Sequence, residues 1–290
     1  MARPPLAPPA LNPAPLEPGL YLVATPIGNL RDITLRALDV LAACDLILAE
    51  DTRVTGKLLA AFGLKNRLER CDDHAAARAS PKIMARLALG ERIALVSDAG
   101  TPLVSDPGYR IAMDAIEAGH EVWPIPGASA ALAALTVAGL PADRFLFAGF
   151  PPPKSAARKT FLEDLSAVRA TLIFYEGGSR LAASLADMAA VFGPRPAAVC
   201  RELTKLYETV TRGPLDVLAA NPVFADPKGE LVIVVGPGEQ TVSTAADADP
   251  ALTEAMTRLA PGEAVSEVAK ALGLPRRDLY RRALALKEKQ

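Results

Sequence analysis

Four turn-rich segments in the first half of the chain carry the residue types that handle a ligand: Thr25-Pro26-Ile27-Gly28-Asn29, Glu50-Asp51-Thr52-Arg53, "SDAGTPLVSDPG" from Ser97 to Gly108, and "PGASAA" from Pro126 to Ala131. The third is twelve residues with two Asp, two Pro and two Gly. That is long for a strand-to-helix connection, where about two to six is usual, and long ordered loops tend to serve function. Gly100 and Gly108 permit close approach of backbone to a ligand. Asp98 and Asp106 supply carboxylates able to accept from ribose hydroxyls or from an amine. Against this stands the plainer reading that Gly, Pro, Asp and Ser are simply turn formers. Two nucleotide signatures are missing: no G-x-G-x-x-G follows the first apolar run, and no G-x-x-x-x-G-K-[ST] occurs. An ordinary dinucleotide dehydrogenase and a P-loop NTPase are therefore disfavoured.

The elements that must hold these turns alternate. Short apolar runs at Leu20–Ala24, Leu46–Ala49, Arg92–Val96 and Glu121–Ile125 read as strands. Helical spacing falls at Asp32–Ala43, Val54–Phe62, Ala75–Leu89 and Tyr109–Ala118, the last three closed by glycine. After Gly139-Leu140-Pro141 the alternation restarts, with strands at Phe145–Ala148, Thr171–Tyr175, Ala197–Cys200 and Leu231–Val235 and helices at Ala156–Val168, Arg180–Phe192 and Pro214–Ala220. Trp123 falls in a strand pattern and reads as core. The expected fold class is α/β, with two α/β subdomains of mostly parallel sheets (19–138 and 139–238) and a ligand cleft between them. Ligands in such sheets bind outside the carboxyl ends of the strands, which is where the four turns fall.

The flanks differ in character. Met1 to Pro18 holds seven prolines and reads as a disordered tail, not a signal peptide. A polar linker is expected at 239–250, followed by a small helical unit at 251–290 with helix-turn-helix character around Gly273 and Pro275. Its end is basic: Arg276, Arg277, Arg281, Arg282, Lys287 and Lys289 stand against Asp278 and Glu288. Such a cluster fits a nucleic-acid backbone, and Tyr280 among the arginines can stack on a base. A solvated helix end is the bland alternative. Net charge is only −1 over 290 residues, so any nucleic-acid contact must be local. Three scattered cysteines fit a reducing compartment. With two histidines, no metal site is expected. No apolar run is long enough to span a membrane.

Six fragments then occur in order: "LYLVATPIGNLRDITLRALDVLAACDLILAEDTRVTGKLL", "ALVSDAGTPLVSDPGY", "PIPGASAALAAL", "GLPADRFLFAGFPP", "TLIFYE" and "RELTK" with a later "ET". Together they resemble the bacterial small-subunit ribosomal RNA methyltransferases of the tetrapyrrole (corrin/porphyrin) methylase superfamily, from about Leu20 to Val235, with a similar "LPRRDLYRRAL" tail. Two stretches depart from the family pattern: one His, His74, stands where several are frequent, and Gly177-Gly178-Ser179-Arg180 replaces a Ser or Thr followed by His-Arg.

The resemblance implies S-adenosyl-L-methionine as cofactor, folded against Ile27, Asp98, Ala99, Gly100, Thr101, Ser129, Ala130, Phe174 and Tyr175. It implies 2′-O-methylation of a cytidine in the decoding region of small-subunit (16S) ribosomal RNA by a cytoplasmic homodimer. A ribose hydroxyl needs its proton removed as the new bond forms. Asp106, Glu176, Glu202 and Lys205 are the candidates for that role, although Glu202 and Lys205 can equally form an ion pair three residues apart. Arg53, Arg180 and Arg201, with the C-terminal Arg276, Arg277, Tyr280, Arg281 and Arg282, are candidates for RNA contact; for the first three, surface salt bridging is the alternative. Two rival activities stay open: methylation of a precorrin or uroporphyrinogen, and DNA binding by a regulator.

Overall fold

The computed structural model describes residues 15–71, 73–105, 108–238, 248–272 and 274–287. The chain divides into two compact units, at Pro237/Gly238.

The first unit opens with β1 (Gly19–Val23), α1 (Leu35–Ala43), β2 (Leu46–Ala49), α2 (Thr52–Ala61), β3 (Leu68–Arg70), α3 (Asp73–Ala88), β4 (Arg92–Val96), α4 (Tyr109–Glu117) and β5 (Val122–Ile125). These strands form an all-parallel sheet in the order β3-β2-β4-β1-β5. Its central strands are apolar almost throughout, Arg92 at the start of β4 apart, because helices cover both faces. β5 is an edge strand, so Trp123 is not core: it is 38% exposed and stacks on Tyr21 at 6.5 Å.

The chain then crosses by α5 (Ala130–Ala138) to β6 (Phe145–Gly149), α6 (Ser155–Leu165), β7 (Thr171–Gly177), α7 (Leu181–Phe192), β8 (Pro196–Arg201), β9 (Thr209–Pro214), α8 (Leu215–Ala219) and β10 (Glu230–Val235). The second sheet runs β6-β7-β10-β8-β9. Only β6 and β7 pair in parallel here; β7–β10, β10–β8 and β8–β9 are antiparallel. The sheets taken together are thus mostly parallel, but this one is mixed, because β8 and β9 form a hairpin-like pair that β10 joins from the other side.

Helices α6, α7 and α8 bury one face of the second sheet through Leu162, Leu181, Leu185, Met188 and Leu215. The other face is covered by α5 through Ala131, Ala134, Leu135 and Ala138 packed on Ile173, Ala198, Cys200, Val232 and Val234. Every residue of this helix but Thr136 is apolar, and the buried ones recur at the i, i+3, i+4, i+7 spacing of one face.

The second unit holds α9 (Ala248–Met256), α10 (Pro261–Leu272) and α11 (Arg276–Lys287), joined by a core of Leu252, Val265, Val268, Leu279 and Ala283. α9 begins at Ala248, inside the segment read from sequence as linker. Among the described residues no helix is long and apolar enough to cross a membrane.

Candidate functional site

The turns at the carboxyl ends of the first sheet are stitched together by their backbones. Thr25 N–H donates to the Gly100 carbonyl at 2.8 Å, and Gly100 N–H donates back to the Thr25 carbonyl at 3.1 Å. The Thr101 hydroxyl donates to the Ala128 carbonyl at 3.1 Å. Gly100 has φ +86°, and a Cβ there would press on Ile27 Cγ2 at 3.3 Å, so glycine suits the crossing. From the second sheet, the Tyr175 hydroxyl accepts from Ala131 N–H at 3.2 Å, and the Tyr175 ring meets Phe147 and Phe150 edge-on at 4.8 and 5.5 Å.

These groups surround a cleft with about 860 Å³ of empty space, open solvent at its mouth included. Seven of the residues expected to hold a cofactor meet there: Ile27, Ala99, Gly100, Thr101, Ser129, Ala130 and Tyr175. Two do not. Phe174 is fully buried in the core beneath α6 and α7, because side chains alternate along β7 and Tyr175, not Phe174, faces the cleft. Asp98 lines an adjoining second pocket and accepts from Asp51 N–H at 3.0 Å through Oδ1. Sequence reasoning passed over Phe150, Leu203, Glu230 and Val232, which also line the cleft. Phe150 was within reach, since it sits in "FAGFPP" directly after a strand.

The candidate proton acceptors fare differently. Asp106 lies outside the described residues. Glu176 has a fully buried side chain that accepts from Gly177 N–H at 2.8 Å and from the Ser184 hydroxyl. Arg180 lies beside it, Nε at 3.0 Å from Oε1, and also donates to the Pro151 carbonyl. Glu176 borders the cleft, but its carboxylate is buried and occupied by these partners on the α7 side of β7, so it offers no free oxygen to take a proton; the pair pins the ends of β6 and β7.

Lys205 Nζ lies 2.9 Å from both Glu202 Oε1 and Glu230 Oε2. Burial works to lower its pKa, but the ion pairs with Glu202 and Glu230 prevail and raise it above the ordinary lysine value. Glu202 is held below the usual carboxylate range by the Glu230 N–H it accepts from, and then by Lys205, against the effect of burial. A lysine held protonated and a carboxylate held ionised by partners are both poor proton acceptors.

The arginines divide too. Arg53 is highly exposed and paired with Asp51 at 2.6 Å. Arg201 donates to the Lys228 carbonyl at 2.6 Å. Arg180 is committed to Glu176 and Pro151, which removes it from the set free to meet RNA. In the second unit, Arg276, Arg277, Tyr280 and Arg281 of α11 are exposed, whereas Leu279 and Ala283 are buried. Arg281 pairs with Asp278 at 2.5 Å. Arg282, expected to meet RNA, instead donates from Nε and Nη2 to the two Asp249 oxygens at 2.7 Å each, which ties α11 to α9.

Two stitched sheets with a cleft at their strand ends define the class, and the family of Tetrapyrrole (Corrin/Porphyrin) Methylases matches residues 19–219. The RsmI C-terminal HTH domain matches residues 242–287. Relatives named ribosomal RNA small subunit methyltransferase I include one from Mesorhizobium japonicum, 54% identical over 94% of both chains. Another, from Escherichia coli O157:H7, is 47% identical over 91% of this chain and 94% of its own. The chain belongs to the ribosomal RNA small subunit methyltransferase I family. Among solved structures, a uroporphyrin-III-C-methyltransferase from Thermus thermophilus superposes with TM-score 0.54 at 26% identity, covering 75% of this chain and 93% of that one. The methyltransferase CobJ does so with TM-score 0.57 at 19% identity over 76% and 94%, and shares the fold.

Proposed function

We propose that this protein transfers a methyl group from S-adenosyl-L-methionine to the ribose 2′-hydroxyl of a cytidine in the decoding region of 16S ribosomal RNA. The observation that carries the reading is the cleft: strand-end turns of two sheets converge on it, and apolar and aromatic side chains line it beside a few polar groups. Its donors fit the cofactor. The Ser129 side chain does not cap α5, so that helix start offers N–H groups to a carboxylate. Tyr175 and Phe150 supply an aromatic wall, and the Ala99–Thr101 backbone can approach closely.

Bound there, the cofactor supplies an electrophilic methyl group. The protein's task is then to hold the acceptor oxygen in line and exclude water, which is chiefly a positioning problem. With Glu176, Glu202 and Lys205 each held by hydrogen bonds and ion pairs, Asp106 is retained as the proposed proton acceptor. Arg276, Arg277 and Tyr280 are proposed to contact the RNA, Arg53 and Arg201 in a supporting role. The reading places the enzyme in the cytoplasm, as a homodimer after the habit of its superfamily, acting on ribosomal RNA or the small ribosomal subunit.

Tetrapyrrole methylation is the less favoured activity, since relatives named for ribosomal RNA match nearly the whole chain. A regulator that only binds DNA leaves the cleft without a use. Mass-spectrometric mapping of ribose methylation in 16S RNA, with and without this protein, tests the proposal. One 2′-O-methylcytidine that appears only with the protein is expected; identical maps would refute it.

A further inference from the structure

The cleft has a neighbour. A second pocket of about 640 Å³, open solvent included, shares Ile27, Ala99 and Glu230 with the first. A methyl acceptor must lie within contact of the donor, so a chamber with a common wall is well placed to hold it. One side of this pocket is apolar: Leu30, Val54 and Leu58, of which Leu30 and Val54 are each 40% exposed. The lining also carries charged groups, Asp98 and the Lys205–Glu230 pair. Asp98 is only half engaged. Its Oδ1 accepts from Asp51 N–H, while Oδ2 accepts no hydrogen bond among the described residues.

Flat apolar walls with a few polar groups beyond them are what an unstacked base requires. A carboxylate pairs with an exocyclic amine and repels a carbonyl, as when Asp or Glu accepts from cytosine N4. Lys205 is tied by two carboxylates and Arg53 pairs with Asp51, so neither forms an ion pair with Asp98, although Asp98 lies within the field of Arg53.

We infer that this second pocket receives the acceptor ribonucleoside, base against Leu30 and Val54, and that Asp98 selects an amino-bearing base such as cytosine over a keto-bearing one such as uracil. The inference rests on the function proposed above and deepens it. It also reassigns Asp98, which sequence resemblance set among the cofactor ligands, to the nucleotide.

The test uses the full chain and small ribosomal subunits reconstituted with either cytidine or uridine at the nucleotide the wild-type protein methylates. The substitution is Asp98→Asn, which keeps an oxygen for Asp51 N–H and adds a donor that tolerates uracil O4. The preference of kcat/KM for cytidine over uridine should fall by roughly tenfold, the discrimination one such base contact provides. Cofactor affinity, measured by calorimetry, should stay within about twofold by the same reasoning. An unchanged cytidine preference would overturn the inference. So would a parallel loss on both substrates accompanied by lost cofactor binding, which would return Asp98 to the cofactor.

Val54→Trp, at an exposed position, gives an independent arm. It should block methylation by filling the pocket while cofactor binding persists; full activity would contradict the assignment. Should wild-type protein methylate neither subunit, the proposed function itself fails, an outcome separate from an unchanged preference.

Discussion

Arg158 and Asp187 form the most buried ion pair among the described residues, with side chains 3% and 10% exposed and 2.6 Å apart. Burial alone would raise the Asp187 pKa, but the Ser155 hydroxyl and the Arg158 guanidinium outweigh it and hold the carboxyl below its ordinary value. A folded-state pKa depressed in this way contributes stability above the unfolded value of 3.8, and that stability is lost as pH falls through the folded value. Urea unfolding followed between pH 7 and pH 3 should therefore show this contribution intact at the upper end and fading only below about pH 4. Asp187→Ala leaves the buried guanidinium unpaired and should cost about 3–5 kcal/mol at pH 7. A loss under about 1 kcal/mol would mean that the pair is solvated. Glu176 teaches the same lesson near the cleft: its carboxylate is fully employed holding Arg180 and Ser184. A residue type and its neighbours in sequence do not reveal which face of a strand it occupies, and parity along β7 decides between ligand and core.

Elements set where those faces point, and one turn shows how tightly. Gly178 follows β7, and a Cβ built on it would lie 1.7 Å from the Pro227 carbonyl oxygen. Replacing it with alanine must move backbone, so Gly178→Ala should lower stability by about 1–3 kcal/mol, read from the urea midpoint. An unshifted midpoint would show that the turn adapts freely. This explains one departure from the family pattern: the chain carries glycine here, and the loop before β10 packs where a side chain would stand.

Much of the architecture was legible. Runs such as Leu46–Ala49 and Leu231–Val235 are short, apolar and bounded by turn formers, so they declare themselves as strands. What escaped has physical reasons. α5 is apolar at every position but Thr136 and shows no polar face, so no element is assigned to "AALAALTVA" from sequence, whereas it is the helix that covers the second sheet. β3 is three residues of mixed polarity, and β9 carries glycine and proline on a sheet edge. The antiparallel pairing of β10 was hidden because a fully buried strand has the same composition in either direction. The site was legible wherever it rests on strand-end turns, and obscure where it depends on side chains from later strands, such as Leu203 and Glu230.

At the scale of the whole molecule, the labour divides between the two units. The first holds the cleft; the second presents exposed arginines on α11 while Arg282 fastens its own helices. Deleting residues 250–290 should weaken RNA binding and flatten its salt dependence, because phosphate contacts by arginine govern both. Filter binding at several salt concentrations measures this, and equal affinity with an equal slope would remove α11 from the account. The central claim is that the crevice between the two sheets takes a sulfonium cofactor. Isothermal titration of the full-length protein with S-adenosylmethionine and with its demethylated product tests it most directly. Saturable binding of both, at one site per chain and lost when Gly100→Val intrudes on the Ile27 wall, is the predicted result; no heat of binding by well-folded wild-type protein would contradict it.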